Sequence, residues 1–167
     1  MQSPILESMP QQNADQAVHE AALAGQIDKL AAMLGSDASL IDAKGMDPRT
    51  PLHCAGTVAV AALLLDHGAR IDARDEDHNS TPSQWRLGES PEVARFLIER
   101  GANADIFLAA TLGDLELAER LVIEDPGCVA QRIGKLPEFH PLAMGGAAAR
   151  FINGRCASIL IHIIKSH

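Results

Sequence analysis

Thr50-Pro51-Leu52-His53-Cys54-Ala55-Gly56, followed by Val58, Val60, Leu63-Leu64-Leu65 and Gly68-Ala69, decides how this chain is organised. Threonine followed by proline reads as a helix start. The Thr50 hydroxyl can accept from the open N–H groups of a first turn, and Pro51 sits where a missing N–H costs nothing. Gly56 falls where a left-handed residue can stop that first short helix. The run around Leu63-Leu64-Leu65 then reads as a second, apolar helix, closed by Gly68. One unit is therefore helix, turn, helix, loop.

The plan recurs on both sides of this stretch. Downstream lie Thr81-Pro82-Ser83-Gln84-Trp85, Glu92-Val93, Phe96-Leu97-Ile98 and Gly101-Ala102. A further copy carries Ala109-Ala110-Thr111-Leu112-Gly113-Asp114-Leu115-Glu116 and Leu121-Val122-Ile123. Upstream stand Ala21-Ala22-Leu23-Ala24-Gly25-Gln26-Ile27-Asp28, Leu30 and Met33-Leu34. The period is about thirty residues, in the range of stacked repeats. Gly25, Gly88 and Gly113 are expected to end first helices as Gly56 does.

Thr-Pro-Leu-His, Ala-Ala-x-x-Gly, the leucine run and the closing Gly-Ala resemble the ankyrin repeat, in a small bacterial-type protein of that family. The resemblance covers residues 14–134 and implies an all-α ankyrin-repeat solenoid of about four helix-turn-helix repeats. It departs at Ala55-Gly56-Thr57-Val58, where the second unit is about three residues short between its helices, and at Gln84-Trp85-Arg86 in the third unit, and the first and fourth units lack Thr-Pro. Atypical end units suit a stack, because their outer faces meet solvent. Ahead of the repeats, residues 1–13 are expected to be a flexible N-terminus. Residues 135–167 are a proline-marked linker and a C-terminal segment.

Composition agrees. Aromatic residues are only 3 % and tyrosine is absent, so Ala, Leu, Val and Ile must fill the core, as closely packed short helices require. A formal charge of −8 argues against nucleic acid and against anionic membrane surfaces. It suits a basic patch on a partner, or simply a solvated surface. Three widely spaced cysteines, Cys54, Cys128 and Cys156, fit a reducing, cytoplasmic compartment. Residues 1–12 do not read as a signal peptide, and the longest apolar run is too short to span a bilayer.

Chemistry finds little footing in the sequence. His53 and Cys54 are adjacent, so on a helix they point about 100° apart and cannot act as nucleophile and base. Asp72, Asp75, Glu76 and Asp77 lack the spacing of a calcium loop. No histidine pair has metal-ligand spacing, and no phosphate loop is present. The expectation is a non-enzyme with no metal and no cofactor. The resemblance gives His53 a structural part, bonding to Thr50 and to neighbouring backbone. Cys54 is expected to face the core. Trp85 is read as filler between units, with a binding anchor as the other reading.

By the same resemblance, a partner protein would meet the loop tips and the outer positions of the first helices. Those positions are Lys44, Met46, Asp47, Arg49, Glu76, Asp77, His78, Ser80, Arg86, Leu87, Thr111 and Leu112. The function expected is protein–protein interaction; the alternative is a regulatory or inhibitory protein, of the immunity or antitoxin kind, that blocks an enzyme. In the tail, Ile159-Leu160-Ile161 and Ile163-Ile164 are expected either to fold back as an improvised cap or to pair with a second copy as a homodimer. The codons open to residues 150–154, read one base earlier, can instead spell Ile-Tyr-Gln-Trp, which would make the tail a frame-shifted remnant of another repeat.

Overall fold

A computed structural model describes residues 5–45 and 48–130. These residues form four two-helix units and contain no strand. The first unit is α1 (Ile5–Leu23) and α2 (Ile27–Ser36). The second is a 3₁₀ turn, Pro51–Cys54, followed by α3 (Val58–Asp66). The third is α4 (Pro82–Arg86) and α5 (Pro91–Glu99). The fourth is α6 (Ile106–Leu112) and α7 (Leu115–Glu124). Shorter 3₁₀ turns follow α2 at Ala38–Asp42 and α7 at Pro126–Ala130. α1 reaches back to Ile5, inside the segment 1–13 expected to be flexible. The linker and tail expected at 135–167 lie outside the described residues.

The first elements pack in succession, α1 on the Pro51–Cys54 turn and that turn on α4. The second elements do the same, α2 on α3 and α3 on α5. Short polar side chains start the helices by taking up open N–H groups. Thr57 accepts from the Val60 N–H, Asp105 from Leu108 and Asp114 from Leu117. Gly113 ends α6 at φ 68°, a conformation that glycine adopts without strain.

The core is small-residue and aliphatic, as the composition demands. Ala21, Ala22, Ala55 and Ala61 are fully buried, which lets neighbouring backbones approach. Leu30, Leu52, Leu64 and Leu97 fill the space between them. Each such leucine contributes roughly 1.5–3 kcal/mol when fully buried. The core has two clusters that meet at α5. Val93 and Leu97 belong to the cluster of the first units, and Ala94 to the cluster around Ile106, Leu108 and Leu117.

The short second unit has a structural consequence. His19 lies seven residues before Gln26, the cap of α2, but His53 lies only four before Thr57, the cap of α3. With so little chain, the Ala55–Gly56 turn presses on the end of α1. The Gly56 N–H donates to the Ala22 carbonyl at 3.0 Å. A Cβ at Gly56 would stand 2.2 Å from the Leu23 oxygen. Gly56 is thus required for close approach. Neither Gly56 nor Gly88 takes the left-handed conformation expected of them, unlike Gly25 and Gly113.

Candidate functional site

The loops are held by a chain of side-chain bonds that runs from unit to unit. In the second unit, the Thr50 N–H donates to His53 Nδ1 at 3.2 Å. With Nδ1 accepting, the proton sits on Nε2, which donates to the Ser80 carbonyl at 3.1 Å. Ser80 directly precedes Thr81, so His53 ties one unit to the start of the next. Gln84 makes the corresponding pair of bonds. Its Oε1 accepts from the Thr81 N–H at 2.9 Å, and its Nε2 donates to the Asp105 carboxylate, the cap of α6, at 3.0 Å. His19 extends the series upstream, with Nε2 2.8 Å from the Arg49 carbonyl just before Thr50.

His53 is completely buried, and burial pushes it down to about 4 against the opposing pull of Ser80 and the Asp75 charge. The ring is therefore neutral near pH 7, as its role of one donor and one acceptor requires. This agrees with the structural part that the resemblance implied.

Beside it, Asp75 organises the loop between the second and third units. One carboxylate oxygen accepts from the backbone N–H groups of His78 and Ser80, at 2.9 and 3.0 Å. The other accepts from the Trp85 indole N–H. Burial alone would raise the Asp75 carboxyl, but the bonds from Ser80, Trp85 and His78 bring it below the usual carboxylate value. Trp85 also carries the Arg49 guanidinium over its ring face at 4.5 Å, and meets the His78 ring edge-on at 5.3 Å. Trp85 is half-buried, so it joins the units while keeping part of its surface in solvent.

The tips stand around this cluster. Lys44 and Glu76 are exposed and form an ion pair at 3.5 Å that links successive loops. Asp77 is exposed, and with Arg49, Asp75, His78 and Trp85 it lines one shallow depression. A neighbouring groove is bordered by Gln16, Glu20, Leu23, Arg49 and Cys54. Leu23 is 56 % exposed there, an apolar side chain among polar ones. Cys54 is half-buried at this groove while packing against the core, where the sequence suggested a core position only.

Three of the expected contact residues lie inside the protein, and their assignment to the surface is corrected here. Ser80 is buried because it lies at the base of the loop, bonded to both Asp75 and His53. Arg86 is buried beside the short turn of the second unit, where it donates to the Ala55 carbonyl and pairs with Glu89. Leu87 belongs to the second core cluster. Thr111 and Leu112 are half-buried on α6, and the Leu112 carbonyl accepts from Arg95 at 2.9 Å. Met46 and Asp47 lie outside the described residues.

His19 and Gln84 were missed as members of the bonding series. The signal for His19 was Val18-His19-Glu20-Ala21 beside Leu52-His53-Cys54-Ala55. The signal for Gln84 was its place three residues after Thr81, as His53 stands after Thr50.

No set of three or more His, Cys, Asp or Glu side chains converges as a metal site among the described residues. None of the described helices is long and apolar enough to cross a membrane. No curated protein matches the chain. The ankyrin-repeat family model matches residues 49–76, the stretch from Arg49 through the His53 turn and α3 to the Asp75 loop. The match falls on the second unit, and the same two-helix plan is packed before and after it, so the chain carries an ankyrin repeat within a stack of like units.

Proposed function

We propose that this protein binds a partner protein through its loop tips and the exposed side of its first helices, without catalysing a reaction. Ankyrin repeats are generally protein–protein interaction modules and typically non-catalytic. The observation that carries the reading is the Asp75–Trp85–Arg49 cluster, which fixes the loop that presents Glu76, Asp77 and His78. Tips fixed before binding lose little freedom when a partner arrives.

The surface proposed consists of Lys44, Met46, Asp47, Arg49, Glu76, Asp77 and His78, with Thr111 and Leu112 at its far end. Exposed Leu23 adds an apolar contact at the near end. A partner with a basic patch fits the acidic tips and the net charge of −8. The three widely spaced cysteines, Cys54, Cys128 and Cys156, suit a reducing, cytoplasmic setting.

The test begins with affinity capture on the immobilised chain and identification of the bound protein by mass spectrometry. Association is then timed against salt for the wild type and for Glu76→Lys with Asp77→Lys. Exposed charges are screened beyond about 8 Å at physiological ionic strength, so the wild-type rate should fall as salt rises, and the double variant should associate more slowly at low salt. Equal rates for both proteins at every salt concentration would remove the acidic tips from the binding surface.

A further inference from the structure

We propose that Ile159-Leu160-Ile161 and Ile163-Ile164 pack back on the outer face of α7 in the same chain, as the cover of the fourth repeat. The face is defined by the register of the repeats. Asp114-Leu115-Glu116-Leu117-Ala118 aligns with Ser90-Pro91-Glu92-Val93-Ala94, so Leu117 and Leu121 stand where α5 has Val93 and Leu97. Ala118 and Val122 stand where α5 has Ala94 and Ile98. On α5, Val93 and Leu97 face the preceding units, and Ala94 with Ile98 faces the fourth unit. By the same register, α7 turns Ala118 and Val122 toward the place of a fifth unit; Ala118 is already fully buried there and Val122 is half-buried. Next to them, Ile123 is 73 % exposed, at the position where α5 carries the charged Glu99. At Val122 and Ile123 the outer side of α7 is thus apolar and still partly open, where a solvent-facing end needs polar residues.

The chain leaves the described fold at this face. The Pro126–Ala130 turn packs on α7, and Cys128 is buried in the cluster of Leu117 and Ala118. After Ala130, 37 residues remain, more than one repeat of about thirty. Their most apolar stretch is Ile159–Ile164. At about 100° per residue on a helix, His162 would fall opposite Leu160 and Ile164, leaving one apolar side to cover α7. Two arguments favour the chain's own tail over a second copy. A tether of this length holds the tail at an effective concentration of roughly millimolar. Two copies, each of net charge −8, would repel one another as they approach.

The experiment compares the full-length wild type with Leu160→Asp/Ile164→Asp and with His162→Asp, by hydrogen exchange and light scattering. The wild type should have the mass of one chain. The double variant should raise amide exchange across Leu115–Glu124 at least tenfold while leaving α1 to α3 unchanged. His162→Asp, on the opposite side of the segment, should leave α7 as protected as in the wild type. Unchanged α7 exchange in the double variant would overturn the proposal, as would an equal rise in α1 to α3 or in His162→Asp. A wild-type mass of two chains, halved by the double variant, would give the face to a second copy instead.

Discussion

At the junction of the second and third repeats, His53 accepts from the Thr50 N–H and donates to Ser80. At the next junction, Gln84 accepts from the Thr81 N–H and donates to Asp105. The two side chains differ in size, shape and charge behaviour. They share one acceptor and one donor placed at opposite ends of a short reach. The junction therefore selects a bonding polarity, and histidine is one of the residues that supplies it. The difference lies in acid. A neutral imidazole can take a proton and lose its acceptor, whereas an amide cannot.

That difference sets the largest expected effect. Folded His53 titrates near 4, against 6.5 for a histidine in the unfolded chain. Between those values the unfolded chain binds a proton that the folded one refuses, so stability falls as pH drops through this window. Above 6.5 the contribution is fully present, and below about 4 it levels off. The loss across the window is about 3 kcal/mol. His53→Gln should copy the neighbouring junction and flatten this part of the curve. Urea melts between pH 7 and pH 4 would measure it. An equal acid loss in His53→Gln would assign the sensitivity to other groups. Asp75, whose carboxyl is lowered, acts in a lower window, since its contribution disappears only as pH falls through its own folded value.

The same two repeats also differ in the turn that follows the first helix. In the second repeat, a Cβ on Gly56 would collide with the Leu23 oxygen, which is backbone and cannot swing aside. In the third, a Cβ on Gly88 would meet nothing within 4 Å. Gly56→Ala should therefore cost about 2 kcal/mol, in the range of overpacked sites. Gly88→Ala should stay within about 0.5 kcal/mol of wild type. Thermal melts of both variants at one pH would show the gap. Two equal losses would mean that the short turn can yield, and that closeness to α1 is not what fixes glycine there.

Much of this was legible in the sequence, because repetition makes each unit a control for the others. Thr-Pro, the leucine run and the Gly-Ala closure marked the helix pairs, and the missing residues after His53 announced a short second unit. What stayed hidden was fixed by contacts between units. Gln84 read as a departure because residue identity was compared, when donor and acceptor placement was what the junction conserved from one repeat to the next. His19 went unassigned because no Thr-Pro precedes it; α1 runs on through that position as a continuous helix. Arg86 and Leu87 were placed at the surface by transfer from a full-length first helix. α4 ends at Arg86, beside the shortened neighbour, and that end is enclosed rather than exposed. A loop position carried over by counting is only as good as the lengths of the helices on either side.

The smallest expected effect separates the two junctions by what surrounds the abandoned partner. His53→Ala leaves the Thr50 N–H and the Ser80 carbonyl without the ring, both in residues that are almost fully buried. A buried group left unmatched costs on the order of 1–2 kcal/mol. Gln84→Ala also removes two bonds, but Asp105 is only half-buried and already caps α6 by accepting from Leu108. Water can reach the freed carboxylate oxygen and restore most of its hydration. The remaining loss is mainly the Thr81 N–H, so the cost should be about 1 kcal/mol, at the level of a lost cap. Urea melts at pH 7 would compare the two alanine variants with the ring neutral. A larger loss for Gln84→Ala than for His53→Ala would show that Asp105 is held away from water more tightly than its exposure implies, and would make the third junction, rather than the second, the tighter one.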